Sequence, residues 1–252
     1  MLIYKSNITY DGTEFQGFQS QRDVRTVQDV LEESLRKIGW QGSRIKAAGR
    51  TDRGVHACGQ VISFEMDWPH GVESLTKALN ANLPPDVAIW KTEEVGEGFH
   101  PRFSARSRRY SYRIFCSQYR DPLQERYAWR VWPVPELSLM QEAGTILLGE
   151  HDFAAFGRAP IPGGHTIRTI FQADWQQSAQ DMRLDITANA FLYHMVRRLV
   201  AMMIAVGSGR FSCSEAAALL ENPETRWEGK LAPPSGLCLE EVSYSDIVNT
   251  EE

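Results

Sequence analysis

At 252 residues and 28.6 kDa the chain lies between one large domain and two small ones, and its 42% hydrophobic and 23% charged residues exclude the disordered and fibrous classes. Its longest apolar stretch, Leu199 to Val206, falls well short of the roughly 20 residues that span a bilayer, so no membrane segment is expected. A net charge of −5 argues against a uniformly basic, nucleic-acid-coating surface.

In chain order, residues 2 to 10 alternate loosely and read as a strand ending at the turn signal Asp11-Gly12. Thr26-Val27-Gln28-Asp29 resembles a helix cap, and Val27, Val30, Leu31, Leu35 and Ile38 follow at helical spacing up to Gly39. Strands are predicted at Arg44 to Ala48 and Gly59 to Met66, then a shorter helix from Val72 to Asn80 and a strand over Val87 to Val95. The same order follows again. Arg108 to Ser117 alternates as a strand, and Glu136 to Leu148 is helical and closed by Gly149. Thr166 to Gln177 and Asp181 to Ala188 form a hairpin, and Ala190 to Val206 is a long helix stopped by Gly207. A small capped helix opens at Ser212-x-x-Glu215, and Leu237 to Ser243 is the last strand. Two successive βαββαβ series make an α+β chain of tandem ferredoxin-like halves, 1–104 and 105–252, with antiparallel or mixed sheets covered on one side by helices.

Charge is unevenly placed. Only six of the 27 basic residues are Lys, and Phe99 to Arg120 holds six Arg and no acid, while acids collect after Leu231. Arginine is preferred where a planar fork grips phosphate or stacks on a base, so these patches point to localised phosphate or RNA recognition. The cysteines Cys58, Cys116, Cys213 and Cys238 form no C-x-x-C and stand at no zinc-ligand spacing from a histidine; free thiols and no metal are expected.

Between the second and third predicted strands runs Ala48-Gly49-Arg50-Thr51-Asp52-Arg53-Gly54-Val55-His56-Ala57-Cys58-Gly59-Gln60, a loop of about ten residues where a hairpin takes about two to five. Asp52 stands between Arg50 and Arg53, whose charges favour its ionised form, and glycines on both sides permit close approach of a ligand. A pre-positioned carboxylate is a candidate nucleophile or base; the same spacing also suits an Asx-turn aspartate stapled by arginine.

Gly49 to Ala57 closely resembles the catalytic loop of the bacterial tRNA pseudouridine synthases of the A class. The resemblance runs through Tyr10 to Thr13, Gly17-Phe18-Gln19, Thr26-Val27-Gln28, Leu79-Asn80, Phe99 to Phe103, Arg109 to Tyr112, Asp152-Phe153, Arg168-Thr169-Ile170, Ala188 to Phe191, His194 to Arg198 and Gly236-Leu237. It implies isomerisation of uridine to pseudouridine at positions 38, 39 and 40 of the tRNA anticodon stem-loop, by a cytoplasmic homodimer without cofactor or obligatory metal. Asp52 matches the family's catalytic aspartate, Arg50 an RNA-contacting arginine, and Tyr110 the tyrosine that packs on the target base. Arg197 resembles the arginine that pairs with the catalytic carboxylate, and Leu237 an apolar wall of the pocket. Phe99, His100, Arg102 and Phe103 resemble the tRNA-contacting segment. Phe18, Arg53 and Pro101 depart from the usual Trp, Ala and Ala, and Tyr112 suits a core position as well as a pocket.

Two other classes compete. A non-catalytic RNA-recognition sheet would carry aromatic motifs on its central strands, which Arg44 to Ala48 and Gly59 to Met66 lack. A phosphate-binding metabolic enzyme would carry G-x-G-x-x-G or G-x-x-x-x-G-K-[ST], and neither is present.

Overall fold

The computed structural model describes residues 1–159, 161, 163–222 and 224–245; the terminal acids Asp246, Glu251 and Glu252 lie outside this range. The chain forms two compact units, Met1–Arg106 together with the final strand from Cys238, and Ser107–Leu237.

In the first unit, strand β1 (Leu2–Tyr10) pairs antiparallel with β3 (His56–Met66) on one side and β4 (Val87–Val95) on the other. Alternation in β1 buries Tyr4, Ser6, Ile8 and Tyr10, the set that the two-residue period selects. Buried Ser6 is satisfied by Thr92 of β4 at 3.0 Å, so the polar position costs little. Helix α1 (Val27–Lys37) starts where its cap predicts, with the Thr26 hydroxyl accepting from Asp29 N–H, and α2 (Val72–Asn80) occupies its predicted span. Burial of Leu31, Leu35, Leu75 and Leu79 packs both helices into this unit's core.

The edge of β3 is shared. Strand β2 is only Lys46–Ala47, against Ser63 and Ile62, while β10 (Leu237–Ser243) runs parallel to the beginning of β3 at His56 and Ala57. This division corrects two expectations. Strand β2 is shorter than Arg44 to Ala48, and β3 starts at His56 instead of Gly59 because β10 gives its first residues a partner; the intervening loop shrinks to Ala48 through Val55.

In the second unit, β5 (Ser107–Cys116), β9 (Asp181–Ala188) and β8 (Ile167–Ser178) pair antiparallel in that spatial order, and β7 (Gly149–Asp152) extends the sheet beyond β8. Strand β6 (Trp129–Val131) pairs parallel with β5; neither it nor β7 is signalled by the sequence pattern. Helices α3 (Leu137–Ile146), α4 (Met195–Gly207) and α5 (Cys213–Glu221) complete the unit, and α5 carries the full capping box of Ser212 and Glu215. The α+β class stands. Helix α4 begins five residues later than Ala190, for a local reason: the Asn189 side-chain oxygen accepts from both Ala190 N–H (2.7 Å) and Thr169 N–H (3.1 Å), and His194 takes a left-handed φ of 64°. Side-chain capture of backbone donors holds the chain outside helix until Met195.

Among the described residues no helix is long and apolar enough to cross a membrane. All four cysteines are free thiols.

Candidate active site

The loop bearing Asp52 is held from both sides by the segment that joins β1 to α1. Phe18 N–H donates to Thr51 C=O at 3.1 Å, and Gly54 N–H donates to Phe15 C=O at 3.3 Å, so Asp52 is bracketed by two backbone bonds to one neighbouring stretch. Beneath it the Tyr10 and Thr51 hydroxyls share a buried hydrogen bond of 2.8 Å, and Tyr10 packs against buried Phe18. Val55 N–H closes a turn on Asp52 C=O at 3.2 Å. The outcome is a half-buried carboxylate on a short, clamped loop, flanked by the exposed side chains of Arg50 and Arg53. A fixed carboxylate needs no reorganisation before it meets a substrate, which is what nucleophilic or general-base chemistry asks of it.

Close approach makes two glycines necessary. A Cβ on Gly12 would sit 2.0 Å from Val55 C=O, and Gly17, at φ 101°, would bring one to 3.1 Å from Thr51 C=O. His56, buried at the start of β3, accepts the Gly12 N–H on Nδ1 at 3.1 Å and faces the Asp11 carboxylate. The motif residues around Tyr10-Asp11-Gly12 and Gly17-Phe18 therefore act as a brace for the loop that carries Asp52. Sequence reasoning assigns them no such role, because the hydrogen bonds that carry it join positions some 30 to 45 residues apart.

The segment Phe99 to Ser104 forms a compact turn of its own in the first unit. Ser104 N–H donates to His100 C=O (2.9 Å), His100 N–H to Ser104 Oγ (3.0 Å), and His100 Nδ1 accepts from Arg102 N–H (3.1 Å). Burial, followed by the nearby Lys46 and Arg102 charges, lowers the His100 pKa and so keeps Nδ1 available as an acceptor. Phe103, 75% exposed, packs at a tilt against the His100 ring, with the Arg102 guanidinium over its face. Tyr244, beyond the end of β10, pins this turn by donating to Pro101 C=O at 3.0 Å and packing on Phe99, while Lys5 Nζ lies over both rings. An exposed aromatic and an arginine on a braced turn are suited to bases and phosphates. Tyr244 had no signal in the sequence.

The second unit carries Tyr110, Arg197 and Leu237. Tyr110, in β5, is half-buried and meets Phe191 edge to face at 5.2 Å. Tyr112 on the same strand face is fully buried, donates to Pro233 C=O at 2.8 Å, and its phenol is pushed far above its usual pKa by burial. Of the two readings open for it, the core position is the observed one. Arg197, in the first turn of α4, donates through Nε to Ala232 C=O at 2.8 Å and holds the chain that leads to Pro233. Leu237 is buried, 5% exposed, at the start of β10. Arg108 reaches Asn189 C=O at 2.8 Å, which ties the Ala188 to Phe191 motif to β5.

The profile of a family described as tRNA pseudouridine synthase matches residues 8–104 and 143–245. The chain belongs to the tRNA pseudouridine synthase family. It is similar to curated proteins named tRNA pseudouridine synthase A: 40% identical to that of Aeromonas hydrophila over 94% of this chain and 88% of that one, 39% identical to that of Geotalea daltonii over 94% and 97%, and 38% identical to that of Bacillus subtilis over 96% and 99%. The synthase profile contains the clamped loop with Arg50 and Asp52, the Phe99 to Phe103 turn, Arg197 and Leu237, whereas Tyr110 lies between its two matched stretches.

Proposed function

We propose that this chain, an isomerase of the tRNA pseudouridine synthase family, converts uridine to pseudouridine at positions 38, 39 and 40 of the anticodon stem-loop, with Asp52 as the catalytic carboxylate. The observation that carries the assignment of Asp52 is its clamped, half-buried position on a loop of the family's pattern, bracketed by the Thr51 and Gly54 backbone bonds. In the reaction the N1–C1′ glycosidic bond breaks, the detached uracil turns, C5 bonds to C1′, and the C5 proton leaves. No electrons and no phosphoryl group are transferred, so the chemistry calls on no cofactor. It calls on a carboxylate acting at the sugar or the base, on an extruded nucleotide, and on a flat surface that tolerates rotation of the ring.

Asp52 supplies the carboxylate. Tyr110 supplies the flat surface, Arg197 a guanidinium toward the substrate, and Leu237 an apolar wall. Arg50 and the turn of Phe99, His100, Arg102 and Phe103 meet the RNA, Arg102 at phosphate and Phe103 by stacking. The enzyme works in the cytoplasm as a homodimer, a state that sedimentation of the purified chain tests directly.

Release of tritium from tRNA labelled at uridine C5, followed by mapping of the modified position, tests the assignment. Asp52→Asn is expected to abolish release while tRNA affinity stays within about tenfold of wild type, or about 1.4 kcal/mol. Release near the wild-type rate from Asp52→Asn would remove Asp52 from the chemistry.

A further inference from the structure

Two thiols and a carboxylate converge on the strand that leaves the Asp52 loop. Cys58 of β3 and Cys238 of β10 have their sulfurs 3.4 Å apart, and Glu240 brings a carboxylate oxygen so that all three donor atoms lie within 4.8 Å of one another. Cys58 is exposed and the other two are half-buried, so the group is open to solvent. We propose that Cys58, Cys238 and Glu240 form a binding site for a thiophilic divalent cation of the zinc type, with its fourth position open to water.

The arrangement distinguishes a metal site from a disulfide. Cys238 pairs with His56 and Leu239 with Ala57, in parallel. Continued by one residue, that register sets Glu240 opposite Cys58 and puts Cys238 on the diagonal from Cys58, on the same face of the sheet by the two-residue period. A diagonal of two residues along and one strand across spans about 8 Å between Cα atoms, beyond the roughly 7 Å that a disulfide bridges without backbone movement. A zinc ion with Zn–S bonds of about 2.3 Å in tetrahedral geometry holds its two sulfurs about 3.8 Å apart, close to the separation already present. Glycine at 59 lets the two strands approach this closely, since a Cβ there would lie 2.2 Å from Glu240 C=O. Both thiols surrender their protons to solvent as the ion binds and Glu240 contributes as carboxylate, so affinity falls as pH falls. Bound there, the ion bridges β10 to β3.

The test uses the full chain, reduced and metal-free, titrated anaerobically with Co²⁺ and then Zn²⁺. One equivalent of Co²⁺ is expected to give a thiolate-to-cobalt charge-transfer absorption that Zn²⁺ abolishes. Cys58→Ser and Cys238→Ser should each weaken binding by roughly a hundredfold and diminish the band, Glu240→Gln should keep the band with weaker binding, and Cys213→Ser should behave as wild type. Zn²⁺ should also slow alkylation of Cys58 and Cys238 in the unsubstituted protein, mapped by mass spectrometry, a readout independent of whether the variants fold. Absence of the charge-transfer band in wild type, a band of full intensity and unchanged affinity in Cys58→Ser, or alkylation of both thiols at an unchanged rate in Zn²⁺ overturns the proposal.

Discussion

Tyr110 and Tyr112 stand two residues apart on one face of β5, yet their surroundings assign them different work. Tyr112 has its hydroxyl committed to Pro233 C=O inside the unit, whereas Tyr110 touches Phe191 by its edge and leaves part of its ring uncovered. Replacing Tyr110 by Leu removes the flat ring and an aromatic contact of about 1 kcal/mol, while Phe keeps the ring and loses only the hydroxyl. Tritium release and thermal melting, measured together, should show Leu lowering the isomerisation rate far more than the melting temperature, with Phe intermediate in rate and near wild type in stability. A loss of several kcal/mol of stability with full activity per folded molecule would place Tyr110 in the core instead. At this scale the loop with Asp52 was legible as a candidate, because Gly49 to Ala57 is a local string. The residues that brace it were not: Tyr10, Gly12 and Phe18 act through hydrogen bonds and close approaches to a distant stretch of sequence. Cys58 and Cys238 meet only because β10 pairs with β3, which no spacing rule reveals.

Elements were readable where their signals were local. Helix α1 carried its own cap and apolar period, and α5 its capping box, so both lie where the pattern puts them. The start of α4 was misplaced because Ala190 to Tyr193 have apolar spacing compatible with helix, while Asn189 binds the backbone there and His194 turns left-handed. The pairing of β1 with β4 offers a test of electrostatics at the element scale. Lys5 and Glu93 are directly opposed and bonded at 2.6 Å, and Lys91 reaches the other carboxylate oxygen at 2.7 Å. Hydrogen bonds from Lys5 and then Lys91 hold the Glu93 pKa below its ordinary value against the opposing pull of burial. A carboxyl depressed in the fold stabilises above its unfolded pKa, and that contribution disappears as pH falls through the folded value. The melting temperature of wild type should therefore exceed that of Glu93→Gln at neutral pH by the equivalent of less than about 1 kcal/mol, and the gap should narrow as pH is lowered toward about 3. A gap unchanged between those pH values would mean that the charge contributes nothing.

For the molecule as a whole, a net charge of −5 has to be reconciled with an RNA substrate, and the arginines gathered between Arg102 and Arg120 do so locally. If Arg102 meets phosphate, Arg102→Ala should weaken all tRNA substrates alike and lower the slope of log affinity against log salt by about one. An unchanged slope with altered preference among tRNAs would assign Arg102 to base recognition. The two units also differ in how the chain composes them. The second is one continuous stretch, whereas the first leaves off at Arg106 and regains the chain at Cys238. Truncation after Leu237 should accordingly raise proteolytic cleavage within residues 1–106 while Ser107 to Val206 stays protected; equal protection of both stretches in the shortened protein would show that β10 adds nothing to the first unit. The split has a consequence during synthesis. A ribosome delivers almost every residue of the first unit early, but withholds the strand that partners β3 and the tyrosine that pins the Phe99 to Ser104 turn until the second unit has already been made. The stretch of message for residues 1–106 thus encodes an unfinished fold, one whose Phe99 to Ser104 turn is secured only by codons read after those of the second unit.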